Sequence, residues 1–278
     1  MRSFTNCKIC NGKVQLINEK YNLGKCADCG FIFSLTSFTQ EEFVQVYDEL
    51  YNRGGSQYKR HSKYEFEKLI KNEPVNVGWN RSRLIKDNIL NSTCTSVLEI
   101  GSGVGLVGAY IRSKDQSIEY TGVELDKGAF EKSQLLQLNT IHGDFREIEK
   151  IDRQFDVIML WEVIEHLQDL KAFMELAYKK LNVNGRIILS TPNYNKIYNY
   201  PKREKDQLFQ NEPPVHLNFF TPENIKNVFE FHQFSDCHVK VKRMPYLQLK
   251  SFQFYINVVK AIFKQHHGTT LYVTATKK

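Results

Sequence analysis

Four cysteines near the N-terminus form two close pairs that could bind a metal ion. Cys7 and Cys10 are separated by two residues, as are Cys26 and Cys29, and fifteen residues lie between the pairs. Each pair can sit on a tight turn, and two such turns can close one tetrahedral thiolate site. The spacing therefore predicts a structural zinc site. Two disulfides or a redox pair are the alternatives, and a reducing compartment disfavours disulfides.

A glycine-rich turn in the middle of the chain could bind a nucleotide-like ligand. An apolar strand, Val97–Ile100, runs into Gly101, which is followed by Gly103 and Gly105 and then by a predicted helix. Alternate glycines let backbone N–H groups at a helix N-terminus approach a ligand closely. The dinucleotide pattern Gly-x-Gly-x-x-Gly fits only when it starts at Gly103, whereas the strand runs into Gly101. This register disfavours a nicotinamide dehydrogenase.

Carboxylates accompany the turn and the strands that follow it. Glu99 stands two residues before Gly101, and Glu124 ends the next predicted strand. An acidic side chain there can accept hydrogen bonds from both hydroxyls of a ribose. Gly143 and Asp144 follow a third strand, where a carboxylate can accept from an adenine amino group. Such a cleft favours a cationic ligand, and a pyrophosphate beside Glu99 would be repelled.

The elements that must position these residues alternate between strands and helices. This order predicts a parallel sheet with helices on both faces. The chain divides into a zinc-binding module (1–36), a helical lid or linker (37–79) and a larger domain (80–278) that contains an insert (245–267). The predicted strands of the larger domain are 97–100, 120–124, 140–142, 155–160, 186–190, 237–243 and 270–274.

Composition and charge exclude several classes of protein. The 278 residues are 41% apolar and 25% charged, an ordinary globular mix without the ~18-residue apolar run of a membrane span. No apolar signal-peptide core precedes Cys7, so we expect a cytoplasmic protein. The net charge is +7, but the chain after Asp236 contains eight bases and no acidic residue, so the rest of the chain carries a net charge of −1. This distribution speaks against a nucleic-acid-coating protein.

Taken together, these residues resemble the class I S-adenosylmethionine-dependent methyltransferases. The resemblance rests on Glu99–Gly105, Glu124, Gly143-Asp144 and Phe155–Leu167, and it covers roughly residues 80–278. It implies an α/β fold with a doubly wound, mostly parallel seven-stranded sheet of the Rossmann-like methyltransferase type, whose last strand is antiparallel.

The resemblance is closest to the small-molecule branch that includes the ubiquinone-pathway O-methyltransferases. Trp161–Leu167 and His216–Pro222 are typical of that branch. Several of its members carry an N-terminal four-cysteine zinc module, and the resemblance therefore implies a small zinc ribbon in residues 1–36.

The resemblance also implies positions for the cofactor. Gly101, Gly103 and Gly105 would pass beneath the methionine part of S-adenosylmethionine. Glu124, with Leu125 beside it, would hold the ribose.

The remaining implied contacts lie on later strands. Asp144 and Phe145 would frame the adenine, and Leu160 and Trp161 would line the site where the fourth strand ends. Glu99 would supply negative charge toward the cationic cofactor, or it would only cap backbone groups.

Two histidines are candidates for catalysis. His166 follows the fourth strand, and Glu162 would share a face with it if residues 162–166 were helical. His166 would then serve as the general base that takes a proton from an alcohol acceptor, or it would be a structural histidine near the cofactor. His216 follows the segment 211–214 and would contact the acceptor, or it would pack at the entry to a helix.

Two further segments are open to functional interpretation. Tyr51, Tyr58 and Tyr64 flank a glycine joint and could form an aromatic lid, or they could lie on a surface helix. The insert 245–267 has the spacing of an amphipathic basic helix. It would pack on the sheet, mediate a homodimer or contact an anionic membrane surface.

The sequence predicts an enzyme that methylates a small molecule, with O-methylation of a sugar, glycan or natural-product intermediate suggested by the branch it resembles. An RNA methyltransferase whose zinc module binds RNA is the alternative. The five bases of residues 1–36 are not interleaved with an aromatic platform, which speaks against nucleic acid as a partner. A non-catalytic scaffold also remains open.

Overall fold

The structure is a computed structural model that describes residues 2–39, 41–43, 45, 57–71, 73–198, 216–241, 249, 251–263 and 268–278. Its strands are β1 (Arg2–Ser3), β2 (Val14–Asn18), β3 (Leu23–Cys26), β4 (Ile32–Ser34), β5 (Thr36–Ser37), β6 (Ser96–Ile100), β7 (Glu119–Glu124), β8 (Thr140–His142), β9 (Phe155–Trp161), β10 (Leu181–Pro192), β11 (Asn218–Phe219), β12 (Phe234–Val241) and β13 (Thr270–Lys277).

The α-helices are α1 (Gln57–Ile70), α2 (Trp79–Ile85), α3 (Leu106–Lys114), α4 (Lys127–Leu135), α5 (Leu170–Lys180), α6 (Tyr194–Tyr198), α7 (Pro222–Phe231) and α8 (Phe252–Ile262). A π-helical turn, Lys86–Leu90, extends α2, and 3₁₀ turns span Phe145–Lys150 and Ile164–His166.

A large sheet organises the fold, and it confirms the predicted class. Within the described residues it has seven strands in the order β12-β13-β10-β9-β6-β7-β8. The pairs from β10 to β8 are parallel, whereas β13 pairs antiparallel with both β10 and β12. The mostly parallel arrangement with one reversed strand is the expected methyltransferase topology.

Both faces of this sheet are covered because successive strand residues point to opposite sides. Leu98 and Leu160 belong to a core that also contains Phe173 of α5. Val97 and Trp161 belong to the other core, on the side of α2 and α3. The near-continuous apolar sequence of β6 and β9 follows from this two-sided burial.

A smaller antiparallel sheet contains the paired cysteines and joins the N-terminus to the rest of the chain. Its order is β11-β4-β3-β2, so its outer strand comes from residues 218–219. Asn218 pairs with Phe33, and the N–H of Ser34 donates to the carbonyl of Leu217 at 2.9 Å. The division into 1–36, 37–79 and 80–278 stays a prediction, but the first and last of these share a sheet.

Several predicted boundaries are wrong by a few residues for local reasons. The sequence predicts a helix over 104–112 after the glycine turn, but this helix begins at Leu106 because Gly105, at φ +87°, is its N-cap. The sequence predicts a helix over 170–181 with Asn184-Gly185 as its stop signal. The helix, α5, ends at Lys180, but Asn184, at φ +62°, lies within β10, where the pairing with β9 is irregular, and does not form the helix end.

The insert 245–267 contains α8, as predicted. Large apolar side chains of α8 are exposed to solvent, with Phe252 80% and Ile262 69% exposed, and so is Phe263, which follows the helix. Its apolar face is therefore not packed on the sheet within the described residues. No helix in the described part of the chain combines the length and apolarity needed to cross a membrane.

Candidate active site

A cavity lies where β6, β7 and β9 end, at the carboxyl edge of the sheet, which is where α/β folds bind ligands. Its volume is about 1270 Å³, including the space that opens to solvent. Two arginines, Arg81 and Arg146, reach its wall. The carboxylates on the wall outnumber them, and they are Glu65, Glu99, Glu124, Asp144, Glu162 and Asp169. This excess of acids favours a cationic ligand.

The glycine turn forms one wall of the cavity. Gly101, Gly103 and Gly105 all have positive φ, at +70°, +56° and +87°. A Cβ on Gly101 would lie 2.5 Å from a methyl of Val163, whereas a Cβ on Gly103 would meet no atom within 4 Å. The space at Gly103 is therefore open toward the cavity, which Gly101 and Gly103 line. Gly105 caps α3 instead and does not line it.

Glu99 is one of two buried carboxylates behind this turn. It is 2% exposed, and the hydroxyl of Tyr120 donates to its Oε2 at 2.6 Å. Burial raises the pKa of Glu99 to about 8, although Tyr120 and Arg81 favour the charged form. The observed bond comes from a tyrosine hydroxyl rather than from the backbone, and the side chain still lines the cavity.

Glu124 holds the turn in place. Its Oε2 accepts from the N–H of Gly103 at 2.6 Å, and its Oε1 accepts from the N–H of Asp126 at 2.7 Å. Burial raises the pKa of Glu124 to about 7. Each carboxylate oxygen has a second lone pair, so both can still accept from a ligand hydroxyl. Leu125 lies beside it on the cavity wall.

Asp144 and Phe145 line the cavity beyond β8, and their contact with an adenine stays a prediction. The Asp144 carboxylate caps the following 3₁₀ turn and bonds Arg146 through both the backbone N–H and the guanidinium, each at 2.8 Å. Phe145 is 5% exposed and meets the ring of Phe173 edge to face, at 5.5 Å. These contacts fix both side chains before a ligand arrives.

Leu160 and Trp161 occupy opposite sides of the sheet. Trp161 lines the cavity, with the guanidinium carbon of Arg81 5.0 Å from its ring. Leu160 is fully buried in the other core and is not on the cavity wall, because adjacent residues of a strand face opposite ways. The buried indole N–H of Trp161 has no hydrogen-bond partner among the described residues.

His166 lies on the cavity wall, but its predicted relation to Glu162 is wrong. Residue 162 has φ +57° and is not helical, since the 3₁₀ turn begins only at Ile164. The Oε1 of Glu165 lies 3.8 Å from Nε2 of His166, while Glu162 accepts from the hydroxyl of Ser190 at 2.6 Å.

His216 lies next to His166. The two ring centroids are 4.8 Å apart and the planes are inclined by 65°. His216 is 5% exposed, and burial, together with His166, lowers its pKa to about 2. The ring is therefore neutral at physiological pH. Whether either histidine acts in catalysis stays a prediction.

The four N-terminal cysteines come together as the spacing predicts. All six cysteines of the chain are free thiols, and the Sγ atoms of Cys7, Cys10, Cys26 and Cys29 lie within 4.8 Å of one another. Cys7 and Cys29 are 3.7 Å apart, and Cys10 and Cys26 are 3.4 Å apart. Thiolates about 2.3 Å from one zinc ion would be about 3.8 Å apart. The arrangement is compatible with a zinc site.

Residues from outside the predicted motifs complete the cavity. Phe43, Glu65 and Arg81 reach it from the segments before β6. No spacing rule singles them out, because helices that precede the glycine turn have no fixed register against it. Of the three tyrosines predicted as a lid, Tyr64 is 58% exposed and off the cavity wall, and nothing is described of the side chains of the other two.

Comparisons with known proteins agree with the site. Residues 59–239 match a family described as "Methyltransferase domain". Relatives in Pseudomonas fluorescens and Pseudomonas putida, named ubiquinone biosynthesis O-methyltransferase, are 25% identical over 138 residues, which is 47% of this chain and 56% of theirs. The chain thus spans about half the length of these relatives.

Solved structures with low sequence identity share the fold. A methyltransferase from Archaeoglobus fulgidus, described as SAM-dependent, superposes with a TM-score of 0.55 at 18% identity, covering 84% of this chain and 99% of that one. The plantazolicin methyltransferase BamL, solved with SAH bound, gives 0.51 at 18% identity over 85% of this chain and 90% of its own.

Proposed function

Because this chain belongs to the methyltransferase domain family, we propose that it transfers a methyl group from S-adenosylmethionine to a small-molecule acceptor. The observation that carries the proposal is the bond from the Gly103 N–H to the buried Glu124 at the head of an acidic cavity. The same carboxylate fixes the turn and keeps lone pairs for a ribose.

The residues of the cavity fit this cofactor. It carries a positive sulfonium and an ammonium group, and six carboxylates line the wall. Gly103 leaves open space where a side chain would stand, and the unbonded indole N–H of Trp161 offers a donor to a bound molecule. When bound, the cofactor supplies an electrophilic methyl group.

The residues of the chain would bind the cofactor and orient it toward the acceptor. Gly101 and Gly103 would pass beneath the methionine part, Glu124 would hold the ribose, and Asp144 with Phe145 would frame the adenine. Holding the cofactor and the acceptor in line can lower the activation barrier by about 7–11 kcal/mol. The protein therefore acts first by orientation.

We infer that the acceptor offers a hydroxyl oxygen. The relatives named O-methyltransferases support this, and a sugar, glycan or natural-product intermediate is the acceptor class that we propose. A hydroxyl must lose its proton as its oxygen bonds to carbon. His166, with Glu165 and His216 around it, is the group on the cavity wall that serves this need.

We also propose that the four cysteines bind one structural zinc ion. Four largely buried thiols at a spacing compatible with a tetrahedron support it, and none of them forms a disulfide. Its role would be to hold the small sheet together, since the apolar cluster of this sheet has only three buried residues, Leu23, Ile32 and Phe219.

Calorimetry with S-adenosylhomocysteine tests two proposals: that the protein binds this cofactor product, and that Glu99 loses its proton when the product binds. Glu99 is mostly protonated near pH 7 because its pKa is about 8, and a cationic ammonium beside it favours the carboxylate. We therefore expect binding at pH 7 to release protons, seen as heats that depend on the ionisation enthalpy of the buffer. Above about pH 9 this release should vanish.

Variants separate the two parts of that test. Glu99→Gln should bind with no proton release from this site, while Glu119→Gln, at the exposed start of β7, should behave as the wild type. If neither cofactor nor product binds, the proposed function is wrong. Binding of the product with unchanged proton release in Glu99→Gln would reject only the role of Glu99.

We further propose that α8 contacts an anionic membrane surface. Its exposed apolar side chains and Lys260 support this. We expect co-sedimentation with phosphatidylserine vesicles that falls in Phe252→Ser/Ile262→Ser and in Lys260→Glu. Phe231→Ser, which removes an exposed phenylalanine from α7, is the matched control. Failure to sediment with vesicles, together with concentration-dependent self-association, would assign this face to a homodimer instead.

A further inference from the structure

Tyr120 occupies a space behind the cavity wall that two glycines leave open. A Cβ on Gly108 of α3 would lie 2.6 Å from the tyrosine ring, and a Cβ on Gly122, two residues further along β7, would lie 2.9 Å from its hydroxyl oxygen. Neither glycine has a positive φ, so backbone conformation does not require glycine at these positions. Their small size is what admits the tyrosine, because buried side chains pack without overlap.

This packing brings the tyrosine hydroxyl to one buried carboxylate. Gly122 pairs with Glu99 across the two parallel strands, and Tyr120 shares a face of β7 with Gly122. The hydroxyl of Tyr120 donates to Oε2 of Glu99 at 2.6 Å, and the two side chains are 9% and 2% exposed. Burial and the neighbouring Glu99 raise the pKa of Tyr120 well above its ordinary value. The tyrosine therefore keeps its proton and remains a donor.

The charges that face Glu99 come from three elements. Arg81 of α2 favours the ionised carboxylate, whereas Glu124 of β7 and Glu65 of α1 oppose it, as burial does. All four of these side chains line the same cavity. Two opposing carboxylates and one favouring guanidinium leave the hydrogen bond from Tyr120 as a main support for the ionised form of Glu99.

We propose that Tyr120 is a positioning residue for the cofactor, because its hydroxyl holds the Glu99 carboxylate ready to receive the cofactor's ammonium group. The inference rests on the proposed function, which supplies that ammonium group. Glu99 lines the cavity, whereas Tyr120 lies behind it and is not among the lining residues. Tyr120 therefore acts through Glu99, and only ligands that carry the ammonium group respond to it.

Tyr120→Phe keeps the ring in its space and removes the donor. Burial raises the pKa of Glu99 to about 8, and the bond from Tyr120 limits this rise, so the variant has a still higher pKa. A hydrogen bond to a charged group shifts such a pKa by at least about one unit, which is a factor of ten in the ionised fraction. The affinity for S-adenosylhomocysteine should therefore fall by about tenfold at pH 7 and by about twofold at pH 9, where ionisation recovers.

Two ligands separate this effect from a general disturbance of the cavity. S-adenosylhomocysteine carries the ammonium group, whereas 5′-methylthioadenosine has the same adenosine and sulfur without the amino-acid end. Calorimetry measures both ligands with the full-length protein at pH 7 and pH 9. The ratio of wild-type to variant affinity is compared, because the titration of the ligand's own amino group cancels in it. Tyr120→Phe should bind 5′-methylthioadenosine within about twofold of the wild type.

Further variants support the assignment. Gly122→Ala, whose Cβ would displace the tyrosine hydroxyl, should weaken S-adenosylhomocysteine with the same dependence on pH and carries the test if Tyr120→Phe fails to fold. In a Glu99→Gln background, Tyr120→Phe should change the affinity by a factor that is the same at both pH values. Tyr178→Phe removes a hydroxyl that donates to the carbonyl of Lys278, and this control should bind both ligands as the wild type does.

The outcomes distinguish this inference from the proposed function. If both ligands weaken equally in Tyr120→Phe, or if the loss for S-adenosylhomocysteine is the same at pH 7 and pH 9, Tyr120 only packs behind the turn and the inference is wrong. The proposed function survives that result, because the wild type still binds the product. If the wild type binds neither ligand, the proposed function is rejected and this inference with it.

Discussion

Glu124→Ala is expected to weaken the binding of S-adenosylhomocysteine by at least ~100-fold. The carboxylate accepts from the N–H groups of Gly103 and Asp126, and hydrogen bonds to a charged group contribute about 1.5–3 kcal/mol each. Alanine removes both bonds, lets the glycine turn relax, and takes away the acceptor proposed for the ribose. Loss of preorganisation and loss of contact therefore act in the same direction.

Calorimetry at pH 8, where most Glu124 side chains are ionised given a pKa of about 7, measures the effect. Glu124→Gln should also bind weakly, because its amide NH₂ must face one of the two backbone N–H groups. Glu119→Ala changes the other end of the same strand and should bind within about twofold of the wild type. An affinity for Glu124→Ala within threefold of the wild type would contradict the assignment.

The second large effect is expected from Cys26→Ala. Loss of one of the four proposed zinc ligands should abolish tight metal binding at the small sheet. Metal binding by such sites supplies folding free energy of about 10–16 kcal/mol, and loss of even part of it should lower the thermal midpoint by at least about 10 °C.

Loss of the metal site should also destabilise the large domain. Asn227 donates to the carbonyl of Cys29 at 2.9 Å, which ties α7 to the second cysteine turn. Phe31 and Phe220 pack with ring centroids 5.7 Å apart, so the two parts share a core. Unfolding of the small sheet therefore exposes apolar surface of the large domain.

Metal content by mass spectrometry and thermal unfolding by circular dichroism, both under reducing conditions, provide the measurement. Cys94→Ala and Cys237→Ala remove half-buried thiols that lie outside the cluster and should have the metal content of the wild type. Zinc retained at wild-type stoichiometry in Cys26→Ala, with an unchanged midpoint, would show that the cysteines do not form a metal site.

The features that could be predicted from the sequence are those encoded by neighbouring residues. An apolar strand that breaks into Gly101, Gly103 and Gly105 specifies a turn with positive φ, and the structure has it. The two cysteine turns are encoded in the same local way. Leu160 shows where prediction from a motif fails. The motif assigns Leu160 to the site, but its side chain lies on the face of the sheet away from the cavity and packs in the core there.

The contacts of the site that could not be predicted depend on pairing between segments far apart in the sequence. Glu165 stands directly before His166 in the sequence, yet its relation to His216 depends on β11 pairing with β4 and on the bond from Leu217 to Glu165. No periodicity or spacing encodes that contact. Arg81 reaches Trp161 because α2 packs on α3, the helix after the glycine turn, and this packing is again a tertiary result.

The shared edge between β4 and β11 has an evolutionary consequence. Ser34 bonds to Leu217, and Leu217 in turn bonds to Glu165, so the N-terminal sheet fixes the position of His216 relative to the loop of Glu165. An exchange of this ribbon for a foreign one would misalign a distant histidine unless residues 217–219 were exchanged with it. We expect the two segments to be inherited as a unit, and recombination between homologous genes to succeed only where both breakpoints respect that pairing.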